Sequence, residues 1–175
     1  TKLLSPIVQT QMPLGAASAI AFDTITNVVA LAGNFAGGNG LVFVDVSPPL
    51  SPALIRSIPV HPTHVQIVNG VVCVIVQGAV DAFDESSGAL LGSVSVSNPI
   101  ALGHENTTLY VVDGTTLRAM NVSLHGLVLL GSVQVPFALQ SVAVGSGIAY
   151  LGSGEANGGY ATVNVSDAAH MTLID

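Results

Sequence analysis

Short apolar runs recur along the chain at a nearly constant interval, and turn-forming residues separate them. The run at 90–96 (LLGSVSV) returns 39 residues later at 129–135 as LLGSVQV, and a looser copy at 54–60 precedes it by 36 residues. Self-similarity at a spacing of about 40 residues is typical of proteins built from one repeated structural unit. The pattern therefore predicts a repeat architecture.

A polar marker precedes each apolar run. In this marker an Asp or Asn stands two residues before a serine. The four markers begin at Asp45, Asp84, Asn121 and Asn164. Between them lie short runs rich in β-branched residues, separated by hairpin sequences such as Asn69-Gly70. No stretch sustains the 3.6-residue apolar period of a helix, so each unit is predicted to contain four short strands.

Four short antiparallel strands per unit of about 40 residues are typical of one blade of a β-propeller. We therefore predict an all-β fold, with a single domain over 1–175 that contains about four blades. The blade-like units cover approximately 10–60, 61–96, 97–135 and 136–175, with 1–9 as a closing or edge strand. The innermost strands are expected to begin near Ala19, Val65, Ile100 and Val142.

Alternation along these strands predicts which side chains form the core. The set comprises Val65, Ile67, Val72, Val74, Val142 and Val144. The single cysteine, Cys73, lies in the same run. We predict that it is a buried apolar residue, because a reactive thiol needs exposure and a lowered pKa.

The segment 40–47 (GLVFVDVS), followed by Pro52 and the strand 53–60, resembles the LVIVD repeat, a family that forms propellers. Asn121 and Asn164 depart from this repeat by replacing its aspartate. Weaker copies run through 79–96, 117–135 and 160–175. The resemblance implies a propeller of a kind often found in surface or secreted proteins.

The two ends of the chain bear on whether the propeller is closed. Apolar runs at 3–8 and 171–174 are both predicted to be edge strands. A closed ring of four blades would leave one of them surplus, which favours an arc of a larger propeller over a free-standing four-bladed ring. Because exposed strand edges template association, we expect these edges to pair with protein partners or with a second copy of the chain.

Charged residues make up only 7% of the chain, and ten acidic residues outnumber Lys2, Arg56 and Arg118 to give a net charge of −7. Nucleic acid is excluded as a partner because neutralising phosphate requires a basic surface. No apolar run reaches the roughly 18 residues of a membrane-spanning helix, so no membrane span is predicted.

Three histidines are the candidates for a metal site: His61, His64 and His104. They are weak candidates, since a His-x-x-His pair needs further ligands to hold zinc. We therefore predict no metal, no cofactor and no catalytic residue, and expect the histidines to be hydrogen-bonded or solvated.

Asp81, Asp84 and Glu85 form an acidic cluster that could serve acid–base chemistry. Asp84 and Glu85 coincide with a polar marker, however, so we predict that they cap backbone amides in a turn. Two glycine-rich segments, 33–40 and 152–159, are predicted to form long loops.

Asn-x-Ser/Thr sequons are present at Asn106, Asn121 and Asn164. All three are predicted to lie in turns, which makes them candidate glycosylation sites.

These observations favour a non-catalytic extracellular or cell-surface propeller with a structural, adhesive or assembly role. The alternative is a fragment of a propeller enzyme, a hydrolase or oxidoreductase with its site at the central channel. The enzyme interpretation requires that His64, His104, Asp81 or Glu155 converge around a ligand or metal.

Overall fold

The computed structural model describes residues 15–35, 38–48, 50–156 and 158–174. In this part of the chain four antiparallel sheets of four strands each account for the regular structure, with no helix. It therefore contains no helix that is long and apolar enough to cross a membrane.

Sheet 1 consists of β1 (Gly15–Asp23), β2 (Val28–Phe35), β3 (Gly38–Asp45) and β4 (Ala53–Ile58), and sheet 2 of β5 (His64–Val68), β6 (Val71–Val76), β7 (Ala79–Asp84) and β8 (Leu90–Ser95). Sheet 3 consists of β9 (Pro99–Glu105), β10 (Thr108–Asp113), β11 (Thr116–Ser123) and β12 (Gly126–Gln134), and sheet 4 of β13 (Leu139–Gly145), β14 (Ile148–Ser153), β15 (Tyr160–Asn164) and β16 (Thr172–Ile174).

Each sheet is a meander in which consecutive strands pair, so the spatial order of its strands follows the chain. Tight turns make this possible: Asn69 and Gly70, between β5 and β6, have φ values of 51° and 74°. These are the left-handed conformations of a two-residue hairpin turn. The predicted all-β fold of four-stranded antiparallel units is confirmed, and the repeated apolar run forms the outermost strands β8 and β12.

The core consists of layers of apolar side chains between successive sheets. Val65, Ile67, Val72 and Val74 pack against sheet 1, whereas Cys73, on the opposite face of sheet 2, packs against sheet 3. All five are buried, as predicted, and burial raises the pKa of the Cys73 thiol to about 12. A third layer joins sheets 3 and 4.

No cluster of buried apolar side chains in the described ranges joins sheet 1 to sheet 4. The four sheets therefore form an arc and not a closed ring. The predicted inner-strand residues Ala19, Val65, Ile100 and Val142 lie in β1, β5, β9 and β13, and each of these strands packs against the next.

Val142 and Val144 are only partly buried, contrary to prediction. They face sheet 3 opposite Gly103. If Gly103 carried a Cβ atom, that atom would lie 3.3 Å from the Val142 side chain. Glycine at this position allows sheet 3 to approach the two valines closely, because a Cβ atom there would crowd both side chains.

The predicted long loop at 33–40 is wrong. Gly33 pairs with Gly40 and Asn34 with Asn39, and the ladder between β2 and β3 extends as far as the pair Phe35 and Gly38. The second predicted loop is shorter than expected, because β14 continues to Ser153 and β15 begins at Tyr160.

The strand predicted at 171–174 is observed as β16, which pairs with β15 and forms the outer edge of sheet 4. The strand predicted at 3–8 lies outside the described residues.

We expect Leu109→Ala to lower the free energy of unfolding by about 2–5 kcal/mol, because Leu109 is fully buried between sheets 2 and 3 and the change leaves a cavity. Urea denaturation monitored by circular dichroism measures this loss. The matched control is Leu90→Ala on exposed β8, which should change stability by less than about 0.5 kcal/mol. Equal effects of the two substitutions would contradict the assigned core.

Candidate interaction surfaces and the Glu85 cleft

His64 lies on β5 of sheet 2 and His104 on β9 of sheet 3, whereas His61 lies between β4 and β5. His104 Nδ1 lies 3.1 Å from Gln66 Oε1, and His64 Nδ1 lies 3.4 Å from Thr63 Oγ1. Partial burial lowers the pKa of both His64 and His104. The described residues contain no group of three or more His, Cys, Asp or Glu side chains that could hold a metal ion.

The remaining groups required by the enzyme interpretation lie elsewhere: Asp81 is partly buried on β7, and Glu155 is exposed between β14 and β15. No hydrogen bond or ion pair within the described part of the chain joins Asp81 or Glu155 to either histidine.

Three of the four polar markers cap backbone amides, as predicted. Asp45 Oδ1 accepts from the Ser47 amide at 2.8 Å, Asp84 Oδ1 from the Ser87 amide at 2.6 Å, and Asn164 Oδ1 from the Ser166 amide at 3.1 Å. Hydrogen bonds from the Ser87 and Ser86 hydroxyls lower the pKa of Asp84 to about 2. This carboxylate is consequently an anion throughout the physiological range.

Glu85 does not cap a turn, so that part of the prediction is wrong. Its backbone N–H donates to the Gly70 carbonyl at 3.0 Å, and the residue as a whole is only 6% exposed. In the other three units the same backbone bond is made by a valine: Val46, Val122 or Val165. Glu85 thus places a carboxyl group where the repeat otherwise places an apolar side chain.

The buried carboxyl group of Glu85 has an incomplete set of partners. Its Oε1 accepts a hydrogen bond from Thr26 Oγ1 at 2.5 Å, whereas Oε2 is buried and has no partner among the described residues. Burial raises the pKa of Glu85, and the hydrogen bond from Thr26 opposes this effect. The charge of Asp23, a hydrogen bond between the Glu85 and Asp23 carboxyl groups, and the charge of Asp84 raise the pKa further. An unpaired buried acceptor of this kind destabilises a fold.

Glu85 forms part of the wall of a cleft of about 420 Å³ that residues of sheets 1 and 2 and of the β11–β12 turn of sheet 3 line. The polar part of the wall comes from Thr26, Asn69, Asp84 and Ser86, and the apolar part from Val28, Ile55 and Leu124. The size is typical of small-molecule sites, as is an apolar lining with few polar groups. One sequence signal marks this cleft: Glu85 occupies the middle position of an Asx-x-Ser marker that holds valine in the other three units.

The outer face of sheet 1, directed away from sheet 2, exposes large apolar side chains on β1, whereas Val42 and Val44 of β3 on the same face are buried. Ala19 and Ala21 of β1 pack toward sheet 2, so the alternate residues Ile20 and Phe22 lie on the opposite face, where they are 67% and 50% exposed. Ile20 occupies on β1 the position that Val65 occupies on β5 and Leu102 on β9, as the strand pairing shows. Val65 and Leu102 are both buried against the preceding sheet.

The outer face of sheet 4 exposes aromatic side chains. Tyr150 and Tyr160 are 52% and 79% exposed and flank a shallow depression that Gly152 and Ser141 also line. The counterparts of Tyr150 in the preceding sheets all face the next sheet and are buried: Ala30, Cys73 and Tyr110. The two outer faces are thus the positions that a neighbouring blade covers elsewhere in the arc.

The three sequons differ in accessibility. Asn106 is exposed in the turn between β9 and β10, and Asn164 is exposed at the end of β15. Asn121 is partly buried within β11, where Thr108 and Val128 pair with it on either side.

No protein-family model matches the chain, and no curated protein does so. Solved structures do match. BamB from Moraxella catarrhalis aligns over 91% of this chain and 52% of its own, with a TM-score of 0.71 and 14% identity. The Pan2 WD40 domain of Neurospora crassa aligns over 95% of this chain and 54% of its own (TM-score 0.67, 10% identity). The computationally designed Ika4 protein aligns over 94% of this chain and all of its own (TM-score 0.71, 18% identity).

These similarities show the fold. The chain is a β-propeller arc, and it spans about half the length of the BamB and Pan2 chains that it matches. At these identities the similarities carry no function.

We expect Glu85→Val to stabilise the protein near neutral pH by about 1–3 kcal/mol, because it removes an unsatisfied buried acceptor. A raised pKa means that the folded state holds the Glu85 proton more tightly than the unfolded chain. This stabilisation is present at acidic pH and is lost as pH rises through the folded-state pKa. The advantage of Glu85→Val should therefore grow between pH 4 and 7.

Urea denaturation at several pH values measures the difference between the wild type and the variant. Glu155→Val, which changes an exposed glutamate, should show no such pH-dependent gain. A destabilised Glu85→Val protein at neutral pH would show that the carboxyl group is satisfied in solution.

Proposed function

We propose that the chain is a non-catalytic propeller module whose role is assembly. The observation that carries this proposal is the pair of outer faces on sheets 1 and 4, which lack a neighbouring blade in the described arc. The exposed groups named on these faces, Ile20, Phe22, Tyr150 and Tyr160, are all uncharged and large. Aromatic side chains and a low charge are typical of the centres of protein interfaces.

The occupant of each face is a second copy of this chain. The chain spans about half of the BamB and Pan2 chains, so two arcs together match the length of such propellers. In a two-fold arrangement, sheet 4 of one copy packs on sheet 1 of the other, and the reverse contact forms at the second junction. Every sheet then has the two neighbours that sheets 2 and 3 have within the arc.

The free energy available at each junction is considerable. Fully burying one large apolar side chain contributes about 1.5–3 kcal/mol, and Phe22 with Ile20 meets Tyr150 with Tyr160 at each of the two junctions. The faces carry no charged group among these four residues, so association requires no desolvation of an ion.

An extracellular or cell-surface location is the second part of the proposal. It is supported by the sequons, by the scarcity of charge and by the resemblance of 40–47 to the LVIVD repeat. A chain with 7% charged residues gains solubility either from burial of its apolar faces in an assembly or from attached glycans.

We expect the purified protein to have the mass of two chains by light scattering after size-exclusion chromatography. Phe22→Asp and Tyr150→Asp should each convert it to the mass of one chain, because each places a charge in a desolvated junction. Leu90→Asp is the matched control: it adds the same charge to an exposed apolar position on β8, outside both faces, and should leave the mass unchanged. A wild-type protein that stays monomeric up to high concentration would overturn self-assembly.

Secretion from a eukaryotic host should add N-linked glycan at Asn106 or Asn164, since both side chains are exposed, and less at Asn121 within β11. Intact mass before and after enzymatic deglycosylation measures occupancy, and Asn106→Gln and Asn164→Gln identify the site. An unmodified mass in the secreted protein would argue against the glycan part of the proposal.

A further inference from the structure

We propose that the Glu85 cleft binds a primary ammonium group carried on a short apolar chain, as in an alkylamine or a lysine side chain. This site is separate from the outer faces of sheets 1 and 4, and the inference does not depend on self-assembly.

Glu85 supplies the acceptor. Glu85 is only 6% exposed, Thr26 donates to Oε1, and no described residue donates a hydrogen bond to Oε2, although the Asp23 carboxyl group lies beside the Glu85 carboxyl. A buried acceptor loses its hydrogen bonds to water without replacement, which costs about 1–3 kcal/mol. A donor that enters the cleft and reaches Oε2 recovers that free energy.

The surrounding charge selects a cation over a neutral donor. Asp84 is held as an anion by Ser86 and Ser87, and Asp23 accepts backbone hydrogen bonds from Ile25 and Thr26 at 2.7 and 3.4 Å. Within the described ranges, no ion pair involves Asp23, Asp84 or Glu85. A cation at Oε2 relieves the repulsion among the three carboxyl groups, which a neutral hydroxyl or amide group does not.

The nearest described cation does not fill this role. Arg56 of β4 donates its Nη2 hydrogen to the Ser86 carbonyl, and its guanidinium lies 5.9 Å from the centre of the Phe43 ring. Its Nη2 is engaged with the backbone, its Nε is buried without a partner among the described residues, and it makes no ion pair within 4 Å of Asp84 or Glu85.

The cleft wall favours an organic cation over a metal ion. The carboxyl groups are not arranged as a group of three ligands that could hold a metal. Val28, Ile55 and Leu124 instead line the cleft with hydrocarbon, and the volume of about 420 Å³ accommodates a chain of several carbon atoms. An alkylammonium matches both features, because its charge meets Glu85 and its chain contacts the apolar wall.

The repeat itself supplies an independent reason to expect a ligand. Val46, Val122 and Val165 show that valine satisfies this backbone position in three units. A carboxyl group there destabilises the arc, and positions where a sequence breaks its own structural rule are typically functional.

The test is a titration with n-butylammonium chloride at pH 7 and constant ionic strength, monitored by amide chemical shifts of Thr26 and Gly70. We expect saturable shifts with the wild type, a loss of affinity of at least tenfold in Glu85→Gln, and no saturable binding to Glu85→Val, which restores the valine of the other units. Asp45→Asn, a change at an equivalent turn outside the cleft, should bind like the wild type.

Two further ligands complete the experiment. n-Butanol has the same chain without the charge and should bind at least tenfold more weakly. Nα-acetyl-lysine amide distinguishes the two sources: binding comparable to butylammonium indicates a lysine side chain of a partner, and weaker binding indicates a free amine. The proposal is overturned if butylammonium causes no saturable shift, if Glu85→Val binds it as well as the wild type, or if butanol binds equally.

Discussion

The arc depends on one constraint, which is that the sheet of each blade has two apolar faces and both must be covered. Sheet 2 illustrates this: Val65, Ile67, Val72 and Val74 cover sheet 1 on one side, while Cys73 and Val80 cover sheet 3 on the other. The alternation of a strand sends adjacent residues to opposite faces, so a run such as VVCVIV is apolar throughout. A sheet of this kind is stable only between two neighbours, and the described arc provides two neighbours to its middle sheets alone.

The polar markers act on a different scale, because they fix the turns that set one strand against the next. Asp45, Asp84 and Asn164 each fold a side-chain oxygen back onto an amide two or three residues later. The following residue is directed inward, and its N–H bonds to the turn of the neighbouring hairpin. A marker thus has a first residue that caps an amide at the surface and a second residue that packs inward. An acidic residue at the second position is therefore buried. Glu85 is an acid in the inward position, and the neighbouring turn supplies a hydrogen-bond donor, Thr26, to only one of its two carboxyl oxygens.

Much of the fold could be predicted from the sequence, because the repeat states the same pattern four times. The strands that contain Val65, Ile100 and Val142, the burial of Cys73 and the capping by Asp84 all follow from spacing and alternation. The prediction that Glu85 caps an amide is wrong. It rests on the general behaviour of acidic residues in turns, whereas an alignment of the four units shows that the counterparts of Glu85 are valines. The segment 33–40 was misassigned because glycine and asparagine are turn formers in isolation, whereas here Gly33 and Gly40 sit opposite each other in a ladder. Pairing between β2 and β3 determines the structure of these residues, and the local amino-acid composition does not predict that pairing.

A repeat fold also offers an internal reference for every position, which makes departures informative. Tyr150 aligns with Ala30, Cys73 and Tyr110, and Glu85 aligns with Val46, Val122 and Val165. The first departure is one of environment, since a side chain that is buried in three sheets is exposed in the fourth. The second is one of chemistry, since a carboxyl group replaces a hydrocarbon side chain at a residue that makes the same backbone hydrogen bond. The described arc has no neighbouring sheet to cover Tyr150, and Glu85 lacks the apolar side chain that the other three units place at its position.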